Sequence, residues 1–296
     1  MKEPIFTGSG VAIVTPFSDS GVNFAALKRL LDFHLSNSTD AIIVCGTTGE
    51  ASTMSYSERM QTIETVVRHV DKRIPVIAGS GSNNTQNAVK LSKDAASAGA
   101  DGLLVVTPYY NKATQRGLIR HYQSVADAVD CPIIAYDVPS RTGVSIAPET
   151  YAELAKHPNI IGVKEASGNL SDLQKTRNLC PEDFYIWSGN DDETVSICAL
   201  GGVGVISVVA NLLPREMHTL VQLCLDNDFR AAGQLQLHLR EFCAAMFCEV
   251  NPIPVKTAMN LLNMDAGELR LPLCKPSPEH LSYLKNVLQK YGLAVL

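Results

Sequence analysis

The sequence lacks the marks of several large protein classes. No apolar run is long enough for a membrane span. The opening residues, Met1-Lys2-Glu3-Pro4, carry no apolar signal-peptide segment. Charge of one sign is not concentrated either. The chain has 25 Lys and Arg against 30 Asp and Glu, a net charge of −5, so there is no basic footprint for nucleic acid or an anionic membrane. These absences predict a cytoplasmic chain with no nucleic-acid and no membrane partner. No Gly-x-Gly-x-x-Gly follows a predicted strand and opens a helix, which disfavours a dinucleotide-binding open sheet. The eight cysteines include no Cys-x-x-Cys pair and sit mostly in apolar segments, so reduced, buried thiols are expected rather than a disulfide framework. The seven histidines form no His-x-x-x-His pair and none ends a predicted strand, so no metal site is expected.

What is present is a regular alternation. The 296 residues are 46% hydrophobic and 19% charged, an ordinary globular balance. Short apolar runs bounded by Gly or Pro read as strands: 11–16, 41–45, 75–79, 102–106, 132–136, 160–164, 184–188 and 203–207. Between them, apolar residues recur at helical spacing, as in Leu27, Leu30, Leu31 and Leu35. Ser57 signals a helix start before Met60, and Pro148 another before Tyr151. Segment 118–129 also reads as a helix. Eight strands alternating with eight helices predict an α/β fold, a (β/α)8 TIM barrel; a doubly wound open sheet is the main alternative. Strand signals then stop. Segments 229–248, 254–264 and 278–291 read as helices, so residues 1–228 are expected to form the barrel and 229–296 an appended C-terminal helical bundle.

One strand carries an unusual residue. Ile160-Ile161-Gly162-Val163-Lys164-Glu165 delivers an ammonium from an apolar wall. Desolvation disfavours the charged form, which favours a free-amine nucleophile. The plainer alternative is a lysine that reaches solvent or pairs with Glu165 or another carboxylate. Barrel active sites lie at the C-terminal strand ends, and those ends hold a concentrated set of polar groups. Gly46-Thr47-Thr48-Gly49-Glu50 offers backbone amides and two hydroxyls to a small carboxylate, or is only a tight turn. Tyr136 neighbours Lys164 in strand order and is placed to shuttle protons, or is a core tyrosine bonded to a carbonyl. Arg141, in a loop between Pro139 and Gly143, suits a bidentate carboxylate clamp or a structural ion pair. Tyr109-Tyr110 reads as an exposed aromatic pair, suited to an interface as readily as to chemistry. Glu50 and Glu165 read as supporting residues. Together, one amine, several hydroxyls, one guanidinium and glycine-lined backbone suit imine chemistry on a 2-oxo acid.

These residues resemble the dihydrodipicolinate synthase family of pyruvate-dependent lyases. The motifs run in one order along the chain: Phe6-Thr7-Gly8-Ser9, Val11 to Pro16, Gly46 to Glu50, Val106 to Asn111, Tyr136 to Gly143, Gly162 to Gly168, Gly204 to Val208 and Asn251 to Lys256. The resemblance implies condensation of pyruvate with L-aspartate 4-semialdehyde, a step towards diaminopimelate and lysine, with no cofactor and no metal ion. It implies Lys164 as the Schiff-base lysine and Thr47, Tyr136 and Tyr110 as a proton relay. Thr48, the backbone at Ile206, and Gly189 are implied as substrate-binding, with Arg141 holding the semialdehyde carboxylate. It further implies a homotetramer, a dimer of dimers in which Tyr110 crosses into a neighbouring subunit. Two departures are visible. Asn190 stands where many relatives have Asp. Asn83 and Tyr109 fit the family's lysine-inhibition pattern, but Tyr56, Arg59 and Asn87 replace its histidines and glutamate, so feedback inhibition is expected to be weak or absent. The competing readings are a lyase for a sugar-derived 2-oxo acid, such as N-acetylneuraminate or a 2-keto-3-deoxy sugar acid, a non-catalytic barrel binding a small anion, and a phosphate-binding barrel suggested by Gly201-Gly202-Val203-Gly204.

Overall fold

Parallel pairing closes eight strands into a ring in the computed structural model, which describes residues 1–295. The strands are β1 (Gly8–Ala12), β4 (Ala41–Val44), β5 (Val76–Gly79), β6 (Gly102–Val106), β7 (Ile133–Asp137), β8 (Ile160–Glu165), β9 (Tyr185–Ser188) and β10 (Gly204–Ser207). A small antiparallel hairpin, β2 (Phe17–Ser18) with β3 (Gly21–Val22), follows β1. The barrel closes where β1 pairs with both β10 and β4. The expected (β/α)8 barrel is therefore the fold, and seven of the eight apolar runs are strands as expected, because both of their faces are covered.

The first strand and the hairpin differ from expectation. The apolar run 11–16 predicts a strand there, but β1 starts at Gly8 and ends at Ala12. Glycine is used because neighbours fill the space. A Cβ on Gly10 would sit 2.6 Å from Ile43 Cδ1 and 2.9 Å from the Phe6 ring. Apolarity alone could not find a strand that opens Gly-Ser-Gly. Gly162 in β8 shows the same crowding, with the Tyr185 carbonyl oxygen 2.0 Å from its would-be Cβ. The barrel interior is packed by Phe6, Ile43, Ile77, Leu104, Ile134, Trp187 and Ile206, among others. Trp187 stacks on Phe6 at 5.4 Å between ring centroids.

Helix ends obey local chemistry more than periodicity. The second long helix runs Tyr56–Val70 and is capped by Ser55, not Ser57: the Glu58 N–H donates to Ser55 Oγ, and Glu58 Oε2 accepts the Ser55 N–H at 2.9 Å. The segment expected at 118–129 is a helix over Gln115–Ala126, begun by the Thr114 cap. Pro148 does open a helix, Pro148–Leu154. Arg141 lies on a short helix, Pro139–Thr142, rather than in a plain loop; Gly143 at φ +75° ends it.

The tail is helical, with bounds Phe229–Ala245, Ile253–Leu261 and Pro278–Lys290. Its firmest tie to the barrel is the buried Lys256–Glu50 ion pair, 2.8 Å, both side chains 1% exposed. Lys256 also donates to the carbonyls of Thr15 and Glu268, and Glu50 Oε2 accepts the Arg270 N–H. Glu50 is thus the structural residue expected, held at φ +52°. This network fixes the turn that carries Thr47 and Thr48.

Candidate active site

Strand register brings the central pair together. Tyr136 of β7 and Lys164 of β8 are direct Cα partners, so both side chains leave the sheet on the same face. Lys164 Nζ lies 4.4 Å from the Tyr136 ring centroid. Glu165, the next residue, leaves on the opposite face, where Oε1 accepts the Ser167 N–H at 2.7 Å. Lys164 therefore neither reaches solvent nor pairs with Glu165; it is 6% exposed.

A cavity of about 160 Å3 opens around this pair. Thr47, Thr48, Tyr136, Arg141, Lys164 and Gly189 all line it. Six of the eight residues expected at the site thus share one small chamber, with Ala12, Ile43, Leu104 and Ala166 as apolar walls. Ile206 is wholly buried in the barrel interior beside it, and Val208, two residues on, reaches the lining. Tyr110 is not in the chamber. It stands 89% exposed at φ +75°, an uncommon backbone state for a bulky residue. Its N–H donates to the Thr142 carbonyl. The third hydroxyl of the expected relay is therefore outside the chamber in the single chain.

The electrostatics shift the Lys164 amine towards its unprotonated form. Burial lowers the Lys164 pKa to about 8, the Asp191 charge opposes this, and the Arg141 guanidinium adds to it. At pH 7.5 about one lysine in four is then a free amine, against about one in a thousand at an ordinary lysine pKa. Burial raises the Tyr136 phenol, while the Arg141 charge and a hydrogen bond with Thr47 pull it down. Tyr136 is thus a protonated hydroxyl coupled to a second hydroxyl, the arrangement a proton shuttle needs.

Two residues at the site carry no assigned role from sequence. Asp191 is buried at the end of the β9 loop; Oδ2 accepts the N–H groups of Val208 and Val209 at 3.0 and 3.1 Å, which pins the segment after Ile206. Asn251, from the tail, donates from Nδ2 to Thr48 Oγ1 at 3.0 Å, and its carbonyl accepts Arg141 Nη2 at 3.3 Å. For Asn251 the available signal was its place at the head of the Asn251-to-Lys256 motif, whose prolines open the helix Ile253–Leu261.

The model of the dihydrodipicolinate synthetase family matches residues 5–291. The chain belongs to this family. It is 55% identical over 291 residues to the 4-hydroxy-tetrahydrodipicolinate synthase of Thermoanaerobacter sp. (strain X514), covering 98% of each chain. Among solved structures it resembles the dihydrodipicolinate synthase of Aquifex aeolicus, with 46% identity, a TM-score of 0.96 and coverage of 98% and 99%. It also resembles a structure described as the first monomeric dihydrodipicolinate synthase variant, at 42% identity, TM-score 0.96 and 98% coverage of each chain. The family thus includes a variant described as monomeric. Family membership and the closed barrel carry the expected resemblance through nearly the whole chain.

Proposed function

We propose that this chain condenses pyruvate with L-aspartate 4-semialdehyde to give 4-hydroxy-tetrahydrodipicolinate, through an imine on Lys164. The observation that carries the reading is the Lys164–Tyr136 register pair inside a chamber that also holds Thr47, Thr48 and Arg141. The Lys164 amine adds to the pyruvate C2 carbonyl, and Tyr136 passes protons as the carbinolamine loses water. The protonated imine then draws electrons from the C3 methyl group, which gives up a proton and becomes a nucleophilic enamine. This carbon attacks the aldehyde of the second substrate. The aspartyl amine displaces Lys164 at C2 and closes the ring, returning the free amine.

Thr48 and the backbone at Ile206 are the pyruvate carboxylate ligands in this scheme, with Gly189 giving backbone access. A Cβ at Gly189 would lie 2.6 Å from Ala166 Cβ and 2.9 Å from the Glu165 carbonyl oxygen, so the backbone beside Lys164 needs a glycine there. Arg141 clamps the semialdehyde carboxylate. Tyr110 completes the relay from a neighbouring subunit, within a homotetramer built from dimers; its exposure and backbone strain support that placement. The division into a barrel (1–228) and a helical extension (229–296) belongs to the same proposal, as does a cytoplasmic location. Among the described residues no helix is long and apolar enough to cross a membrane.

Borohydride reduction in the presence of pyruvate tests the reading. The expected result is a single adduct on Lys164 by peptide mass analysis, absent in Lys164→Ala. No mass increase, or labelling of another lysine, overturns it. Assay of the product with aspartate semialdehyde against N-acetylmannosamine as the second partner separates this activity from a sugar-acid lyase.

A further inference from the structure

Thr48 and Asn251 meet across the barrel mouth, one on the turn after β4, the other on the chain leading out of the Phe229–Ala245 helix. Both are buried, at 2% and 6% exposure, and both line the chamber. An amide nitrogen is a donor only, so in the 3.0 Å contact Asn251 Nδ2 donates and Thr48 Oγ1 accepts. The Thr48 hydroxyl proton is therefore left to find another acceptor. The Asn251 Oδ1 is itself buried and without a partner, so the amide is held by this one side-chain contact and by its backbone carbonyl, which accepts Arg141 Nη2.

We propose that Asn251 is a positioning residue that fixes the polarity of Thr48, committing the threonine hydroxyl proton to the carboxylate of the 2-oxo acid. Without the amide donor, the hydroxyl is free to rotate and to spend its proton elsewhere. The tail helices thereby act on substrate capture although they supply no group that meets the keto carbon. The inference rests on the assignment of Thr48 to the pyruvate carboxylate. The Asn251 contact with Arg141 comes from the main chain, so side-chain replacement leaves it in place.

The test is a double-mutant cycle read in kcat/KM for pyruvate and in the borohydride-trapped imine, with thermal melting to confirm folding. Asn251→Ala is expected to lower pyruvate capture on the order of tenfold, the loss typical of one hydrogen bond to a charged group, with KM for aspartate semialdehyde held. Asn251→Asp should lose more, because its carboxylate accepts the Thr48 proton and turns it away from the chamber. On a Thr48→Val background, Asn251→Ala should cost no more than about twofold further. Losses that multiply in the double variant, or an Asn251→Ala enzyme with unchanged pyruvate capture, overturn the inference alone. A Thr48→Val enzyme with wild-type pyruvate capture overturns the Thr48 assignment and this inference with it. If Asn251→Ala fails to fold, the near-isosteric Asn251→Asp closes the same cycle.

Discussion

Lys164 and Tyr136 are Cα partners on adjacent parallel strands, with the amine 4.4 Å from the ring centroid. The relation is a product of register. A parallel ladder puts residues at equal height on neighbouring strands, and the side-chain period of two sends both inward. A slip of one residue in β8 would bring Glu165 into the chamber and send Lys164 out among the helices. The irregularity between Ile133 and Ile134, where the partner register jumps from Ile160 to Gly162, sets the height of everything above it.

Holding that amine dry works against stability. The Lys164 pKa falls from 10.5 to about 8 on folding. Between those values the unfolded chain binds more protons than the native one, so wild-type stability rises with pH across that window, and the full penalty stands below about pH 8. Lys164→Met fills the same space without a charge. It should be inactive yet more stable at pH 7 by on the order of 3 kcal/mol, with the gain fading as pH rises from about 8 towards 10.5. Urea melts at pH 7 and pH 10 measure this; a Met variant less stable than wild type at pH 7 contradicts it.

Much of this was legible in the sequence because the signals were local. Alternating apolar runs and helical spacing gave the barrel, and Lys164 stood out as a charged residue ending an apolar strand. The misses were non-local. Gly8-Ser9-Gly10 opens a strand whose glycines sit where distant side chains take the space, Asp40 at Gly8 and Ile43 with Phe6 at Gly10. Ser55 outranks Ser57 as a cap because Glu58 is three residues on and returns the hydrogen bond. Asn251 lies 203 positions from Thr48, and no periodicity connects them. Tyr110 follows the end of β6 as expected but stands exposed, outside the chamber.

Asp191 is the carboxylate whose charge opposes the lowering of the Lys164 pKa, while Arg141 adds to that lowering and Tyr136 presents its ring face. From the packed elements, the buried Cys243 thiol also senses Asp191, with Ser207 as a hydrogen-bond donor. Asp191→Asn keeps an oxygen for the Val208 and Val209 amides but removes the charge. The acid limb of kcat/KM for pyruvate should sit near pH 8 in the wild type and move to lower pH in the variant, because losing a negative neighbour favours the neutral amine. A pH–rate series over pH 5.5–9.5 checks it, and an unmoved limb would show that Asp191 serves the loop alone.

The Lys256–Glu50 pair is buried on both sides, so its two single variants should be far worse than the double. Lys256→Met leaves an uncompensated carboxylate in the core and is expected to destabilise by about 3–5 kcal/mol. Glu50→Gln with Lys256→Met should recover most of that. Because Glu50 ends the turn bearing Thr47 and Thr48, pyruvate capture should fall in Lys256→Met even where the protein stays folded. Denaturant melts and imine trapping on the three variants give the answer, and additive stability losses would refute the pairing.

Feedback by L-lysine should be weak, for an electrostatic reason. Beside the chamber lies a second cavity of about 490 Å3, lined by Arg59, Tyr109, Asn87 and Ser82, with no carboxylate among its lining residues. Tyr56 lies outside it, its hydroxyl donating to Asp94, and Asn83 gives only its carbonyl to Asn111. The Arg59 guanidinium can meet the carboxylate of L-lysine, but no carboxylate in the lining meets its two ammonium groups. Taking an ammonium out of water without a counter-charge costs more than a neutral hydrogen bond returns. Half-inhibition should therefore require L-lysine above the sub-millimolar range. Asn87→Glu places a carboxylate on the same wall, where it pairs with Arg59 and offers an ammonium a partner. That variant should bind lysine more tightly than wild type in calorimetry, and a wild-type enzyme half-inhibited by sub-millimolar lysine would contradict the electrostatic account.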